Sequence, residues 1–145
     1  MYIDAQALLS DAQAFSSDAV TTNAYDTGSA DNNLGTGEPL GVFIQVDVAA
    51  DFTTGDETYQ FNFIQSSNAN LSSADILCSI VRTAAQLTAG STHVLPIPAG
   101  AITKRYLGVA FDGGGTTPTI TATIFIQPLS MIQQDKNYPD GITIS

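Results

Sequence analysis

Few side chains in this sequence are suited to catalysis. His93 is the only histidine and Cys78 the only cysteine. A catalytic base usually has a nucleophile or an orienting carboxylate beside it, whereas His93 lies in a strand-like run between Thr92 and Val94. A free cysteine among apolar neighbours usually packs as a small hydrophobic side chain. We therefore expect a surface or half-buried histidine and a buried, inert thiol.

Metal and phosphate chemistry is equally weak in the sequence. One histidine and one cysteine are too few for a tetrahedral zinc site. The chain lacks the nucleophile-elbow and phosphate-loop motifs. Acidic side chains in two loops could bind calcium: Asp51, Asp56 and Glu57 in one, and Asp26 with Asp31 in the other. Neither set has EF-hand spacing, and solvated carboxylates are the ordinary case. We expect no cofactor, no metal and no enzymatic activity.

The charge is strongly one-sided. Fourteen acidic residues face four basic ones, for a net charge of −10, and no Lys or Arg precedes Arg82. Affinity for nucleic acid comes largely from Lys and Arg neutralising phosphates, so a nucleic-acid partner is not expected. An anionic membrane is disfavoured for the same reason. The N-terminal residues lack the basic and apolar regions of a signal peptide, which favours synthesis in a cytoplasm-like compartment.

Lys104 and Arg105 form the only basic cluster. Two interpretations are equally open. The pair could bind an acidic partner surface, or it could form ordinary surface ion pairs with aspartates of its own chain, which usually contribute little stability.

Apolar residues that alternate with polar ones predict short strands between turn signals. This pattern favours an all-β, jelly-roll-like antiparallel β-sandwich. We expect an N-terminal arm at 1–18, the sandwich at 19–128 and a C-terminal arm at 129–145. Strands are predicted at 19–25, 40–48, 58–65, 92–97, 104–111 and 119–127, with Asp112 to Gly115 as a tight turn.

Residues 76–87 fit two patterns. Ile76, Leu77, Ile80, Val81, Ala84 and Leu87 have helical spacing, but the run from Ile76 to Val81 also suits a strand. We favour a strand through Val81 followed by a loop.

Several motifs occur in an order that is similar to a known family. They are MYIDAQALLSDAQA at the start, Gly37-Glu38-Pro39-Leu40, Lys104-Arg105-Tyr106-Leu107, and Tyr138-Pro139-Asp140-Gly141 near the end. Together they resemble the Bbp16-type capsid cement proteins of tailed bacteriophages, except in the segment from Asp75 to Leu87. The resemblance implies a jelly roll bound to the outer surface of an HK97-like capsid, where it bridges and stabilises major capsid protein subunits. It also implies self-association, with a dimer favoured over a trimer, and residence in the virion.

Apolar residues in both terminal segments are candidates for contact with such a partner, since apolar side chains in solvent would serve no purpose there. The candidate contacts, with Lys104 and Arg105, are Met1, Tyr2, Ile3, Tyr138, Pro139 and Ile142. On this basis we expect deletion of residues 1–9 to spare folding and weaken capsid binding. The alternative is that both termini pack onto their own sandwich.

A carbohydrate-binding module is the main competing function, because jelly rolls serve both roles. Such modules usually stack sugars on exposed aromatic rings, often Trp, and this chain has no Trp. Tyr25, Tyr59 and Tyr106 are weaker substitutes. A small hydrolase is a third hypothesis, which the lone histidine and the missing nucleophile motif disfavour.

Overall fold

The computed structural model describes residues 7–29, 39–98 and 100–129. These residues form nine strands, and every sequence-predicted strand has a counterpart among them. Their bounds are β1 Leu8–Phe15, β2 Ala19–Val20, β3 Tyr25–Asp26, β4 Leu40–Val48, β5 Thr58–Ser66, β6 Asp75–Arg82, β7 Thr92–Pro96, β8 Tyr106–Gly114 and β9 Ile120–Pro128.

The strands make two antiparallel sheets that pack face to face. Sheet A has the order β1-β9-β4-β7, and sheet B has the order β2-β8-β5-β6, with β3 also pairing with β8. Since β2 and β3 are successive pieces along one side of β8, they fill one strand position. The first strand then pairs with the last, and each inner strand pairs with its counterpart, which is the jelly-roll arrangement of two Greek keys. The predicted fold class is confirmed.

An aromatic cluster fills the space between the sheets. The alternation in β5 and β8 turns Tyr59, Phe61 and Phe111 inward, and each is at most 1% exposed. The Phe111 ring lies 5.4 Å from Phe61 and 5.2 Å from Phe15 of β1, measured between centroids. Tilted and edge-to-face ring pairs at these distances add stability beyond the area that they bury.

The predicted N-terminal arm is too long. Residues 8–15 are the strand β1, which pairs with β9 at the edge of sheet A. Leu9 and Phe15 are 0% and 1% exposed, so this segment belongs to the sandwich. Polar residues hid the strand in the sequence, because β1 is irregular: its register shifts twice, and Ala12 has a φ of 48°. Ser10 is buried there, and its hydroxyl donates to the Ala122 carbonyl.

The predicted tight turn at Asp112 to Gly115 is also misplaced. Gly113 and Gly114 belong to β8, where they pair with Tyr59 and Thr58. The turn comes later, at Gly115, whose φ is +84°. A Cβ at Gly115 would lie 2.2 Å from the Asp56 carbonyl oxygen, so this position requires glycine for both its backbone angle and its space.

β4, β5 and β9 agree with their predicted bounds to within about one residue, and β6 confirms the strand favoured for the ambiguous segment. Two aromatic residues are buried on the outer face of sheet A. Phe43 and Phe125 point away from the inter-sheet core, yet both are 0% exposed. Their rings stack at a centroid distance of 5.2 Å across the β4–β9 pair. Sheet A therefore has a buried aromatic pair on its outer side.

Candidate binding surface

Lys104 and Arg105 lie just before β8, not in a strand as predicted, at the end of the sandwich where β5 finishes. Gln65 of β5 holds the segment in place. Its side-chain oxygen accepts hydrogen bonds from the backbone N–H of Thr103 at 2.8 Å and of Lys104 at 3.1 Å. Gln65 is itself 4% exposed, so a buried amide fixes the backbone that presents both basic side chains.

Both basic side chains contact aspartates of their own chain. Lys104 Nζ lies 2.7 Å from an Asp75 oxygen. Arg105 donates two hydrogen bonds to Asp26, from Nε at 2.7 Å and from Nη2 at 2.9 Å. Its guanidinium also lies 5.2 Å from the centroid of the Tyr106 ring. Of the two interpretations of the basic cluster, the structure shows the ion pairs; a role in partner binding stays a prediction.

The contact between Asp26 and Arg105 shifts the pKa of both groups. The Arg105 hydrogen bond, with a second from the Gly28 N–H, lowers the pKa of Asp26 below its usual 3.8. The same contact raises the pKa of Arg105 above its usual value. Both groups therefore remain charged through the neutral range and favour each other's charged form.

The opposite end of the sandwich is acidic. Asp18 and Asp112 flank the directly opposed pair Ala19–Phe111 of β2 and β8. The turns beside them add Asp51, Asp56 and Glu57. At the Gln65 end, two acidic and two basic groups (Asp26, Asp75, Lys104 and Arg105) sum to a charge of zero. Arg82, opposite Tyr59 on β6, lies at the acidic end too, so the five acidic groups leave a net negative charge there.

The acidic groups serve as hydrogen-bond acceptors for nearby turns. Asp56 accepts from the Thr116 N–H at 3.0 Å and the Thr116 hydroxyl at 2.9 Å, which lowers the pKa of Asp56 below 3.8. Glu57, 4% exposed, accepts from the N–H groups of Thr54 and Gly55. Among the residues that the structure describes, no group of three or more His, Cys, Asp or Glu is arranged to hold a metal ion.

His93 bridges the two sheets. Arg82 Nε of β6 donates to His93 Nδ1 of β7 at 3.3 Å. Because Nδ1 accepts, the ring proton lies on Nε2, which is 3.1 Å from the Ser91 hydroxyl. Burial, with the nearby Arg82 charge, lowers the pKa of His93 below 6.5. The half-buried histidine expected from sequence is thus a neutral structural contact.

Cys78 is half-buried rather than fully buried, and it packs against the core on the inner side of β6. Its Sγ lies 3.7 Å from the Pro96 carbonyl oxygen, and burial raises the pKa of the thiol above 9.0. A raised pKa means a smaller thiolate fraction at neutral pH, which makes the thiol a poor nucleophile.

None of the three tyrosines that the structure describes offers a fully exposed ring for sugar stacking. Tyr59 is 0% exposed, and its hydroxyl donates to the Asp51 carbonyl. Tyr25 and Tyr106 are half-buried, and Tyr106 has Arg105 beside its ring.

Exposed aliphatic side chains on β6 were missed at the sequence level. Ile76 and Val81 are 61% and 63% exposed. Their cross-strand partners Ile64 and Gln60 of β5 place them on the outer face of sheet B. The only sequence signal was the apolar character of a segment whose secondary structure was ambiguous. The six terminal candidates lie outside the described residues: Met1, Tyr2, Ile3, Tyr138, Pro139 and Ile142.

Comparison with known families decides the classification. The model of the Bbp16 family matches residues 9–126, which is more than half of the chain. The chain belongs to the Bbp16 family. The matched region runs from β1 into β9, so it spans nearly all of the jelly roll. Membership in the Bbp16 family indicates a phage structural protein associated with the virion.

No curated protein matches the sequence. Within residues 7–29, 39–98 and 100–129, no helix has the length and apolar character needed to cross a membrane.

Proposed function

We propose that this Bbp16-family chain is a capsid cement protein. It binds the outer surface of an HK97-like phage capsid, where it bridges neighbouring major capsid protein subunits and stabilises the shell. The observation that carries this proposal is the family match over residues 9–126. The protein also binds other copies of itself, as a dimer rather than a trimer.

The use of its reactive side chains supports a structural role. His93 bonds to Arg82, Cys78 packs beside the core, and Glu57 caps a turn. Each of these groups stabilises the sandwich through a partner within the chain. We therefore propose that the protein acts by binding and not by catalysis.

The charge supports an outer position on the shell. A net charge of −10 disfavours contact with packaged nucleic acid, and the acidic end concentrates this charge at Asp18, Asp51, Asp56, Glu57 and Asp112. A capsid surface that bears basic groups would attract that end, because complementary potentials steer association. Lys104 and Arg105, already paired with aspartates, are then secondary contacts.

Terminal segments complete the proposed binding mode. Met1, Tyr2 and Ile3 at one end, with Tyr138, Pro139 and Ile142 at the other, supply apolar contacts to capsid subunits. Two segments joined to one rigid body bind more tightly than either alone, because the second contact forms at a high effective concentration. A body that holds two subunits in this way resists their separation.

The experiment is co-sedimentation with capsids of the cognate phage from which this protein has been removed. We expect saturable binding at a fixed ratio to the major capsid protein, together with a higher melting temperature of the particles. A folded protein that neither binds nor stabilises these capsids would refute the proposal. Binding to a glycan array in that case would favour the carbohydrate-binding alternative.

A further inference from the structure

The edge strands of the two sheets are unequally protected against pairing with another chain. In sheet A, β7 has five residues and ends at Pro96, and β1 is broken by two register shifts. In sheet B, β2 has two residues, whereas β6 at the other edge has eight. No described strand pairs with the outer side of β6. Proteins usually protect edge strands by keeping them short or by interrupting them with prolines or irregularities. β6 is neither short nor interrupted by a proline, and its one irregularity is the bulge at Leu77.

The side chains of β6 also suit a partner strand. Ile76 and Val81 expose 61% and 63% of their surface on one face of the sheet. Asp75 and Arg82 stand at opposite ends of the strand. Asp75 also pairs with Lys104 of its own chain, but its side chain remains 55% exposed, and Arg82 bonds to His93 through Nε alone. An antiparallel partner of the same sequence would place its Arg82 end beside Asp75, so the charges of β6 are complementary to those of a second copy.

We propose that β6 pairs antiparallel with β6 of a second copy, about a two-fold axis at Ser79, so that the two B sheets become one continuous sheet. This inference rests on the self-association proposed above, but it does not depend on capsid binding.

The register follows from symmetry and from a bulge. A two-fold axis perpendicular to an antiparallel sheet relates identical residues on the same face, so one residue must oppose its own copy. β5 pairs its consecutive residues Phe63 and Ile64 with Cys78 and Ile76, and so passes over Leu77. If the second copy passes over Leu77 in the same way, a Ser79 centre gives these opposed pairs: Ile80 with Cys78, Val81 with Ile76, and Arg82 with Asp75.

This register matches the faces that the structure assigns. Ile76, Ser79 and Val81 oppose the outward residues Ile64, Asn62 and Gln60 of β5, so the Val81–Ile76 pairs form on the outer face. The two-fold axis produces each pair twice and thereby covers all four exposed aliphatic side chains. Directly opposed apolar pairs and opposite charges both stabilise antiparallel strands. The other possible centres on Cys78 or Ile80 lose the Arg82–Asp75 pairing.

The first test is the association state in solution, measured by sedimentation equilibrium at protein concentrations up to about 100 μM, since interfaces as small as one strand pair are often weak. We expect the unchanged protein to form a dimer. The double variant Ile76→Lys/Val81→Lys should be monomeric, because it places four like charges along the interface. Circular dichroism should show the same fold, since both side chains are largely in solvent.

The matched control is Val48→Lys/Phe52→Lys. These residues are 59% and 56% exposed and lie outside β6, so this variant adds the same charge and should still form the dimer. An unchanged protein that is monomeric throughout this range would overturn the proposal, and so would a dimer that survives the β6 double variant.

A cysteine placed at the axis tests the register itself. Opposed Cα atoms in an antiparallel pair are about 4.5–5.5 Å apart, within the range of a disulfide. Ser79→Cys in a Cys78→Ser background, treated with oxidised glutathione, should give a covalent dimer. Val48→Cys in the same background is the control and should remain uncrosslinked. Absence of the Ser79→Cys crosslink, with dimerisation still sensitive to Ile76→Lys/Val81→Lys, would refute the Ser79-centred pairing.

Discussion

Arg82 Nε donates a 3.3 Å hydrogen bond to His93 Nδ1, and this contact joins β6 of one sheet to β7 of the other. The two strands are the edges on the same side of the sandwich, and the loop from Thr83 to Ser91 connects them. Sheets A and B are therefore tied by a polar contact at a margin where the apolar core ends.

This contact predicts a pH-dependent stability. The pKa of His93 in the folded protein lies below 6.5, so the unfolded chain takes up a proton more readily. The stabilisation is fully present above pH 6.5 and is lost as the pH falls toward the lowered pKa. Urea unfolding between pH 7.5 and 5 should show this loss, which His93→Gln should reduce. An identical pH profile for His93→Gln would contradict the account.

The Asp26–Arg105 contact predicts a second loss of stability on acidification, at lower pH. The pKa of Asp26 is held below 3.8 mainly by its hydrogen bond from Arg105, so the stabilisation is present above pH 3.8 and is lost as the pH falls through the lowered value. NMR titration of the carboxyl carbon should give a low midpoint that rises in Arg105→Gln. Asp56, held by Thr116 instead, is the internal control and should not move.

We expect folding of the chain to depend on β1, which pairs with β9 and buries Leu9. Leu9 is 0% exposed, so Leu9→Ala should lower the free energy of unfolding by about 2–5 kcal/mol, the usual cost of a buried leucine truncation. Deletion of residues 1–6 should leave the sandwich folded, whereas deletion of 1–9 also removes Leu9 and the Leu8–Phe125 pairing. We therefore expect deletion of residues 1–9 to destabilise the sandwich, contrary to the expectation from sequence that it spares folding. Urea melts of the three variants test this boundary.

Gly115 should be intolerant of a side chain. Gly115→Ala meets the Asp56 carbonyl and also requires a φ of +84°. Gly90→Ala is the matched control, because Gly90 has a φ of +85° and open space around its Cβ position. Both variants should lose about 1–2 kcal/mol for the left-handed backbone, and Gly115→Ala should lose clearly more. Equal losses in thermal unfolding would show that the turn relaxes.

Much of the sandwich could be predicted because its inner strands carry a period-two pattern. In β4, β5 and β9, the residues that face the inter-sheet core are mainly apolar and those between them mainly polar, which is the pattern of a strand with one face on a core. Phe43, Ile64 and Phe125 are the apolar exceptions on the other face. β1 was missed because bulges break the period, and a buried Ser10 bonded to Ala122 replaces an apolar residue.

Long-range partners could not be predicted from the pattern. Arg105 and Asp26 are 79 positions apart in sequence, and only the pairing of β3 with β8 brings them together. The burial of Phe43 and Phe125 on the outer side of sheet A likewise depends on tertiary packing, which a period-two pattern does not encode. The exposure of Ile76 and Val81 also depends on the position of β6 at the edge of sheet B, which the sequence pattern does not give.

We propose that this Bbp16-family protein reinforces a capsid from outside. The most direct test is titration of stripped cognate capsids with the purified protein, followed by sedimentation and thermal melting of the particles. We expect saturation at a fixed ratio to the major capsid protein and a melting temperature that rises with occupancy. Failure of the folded protein to bind, or saturation without any rise in capsid stability, would contradict the proposal.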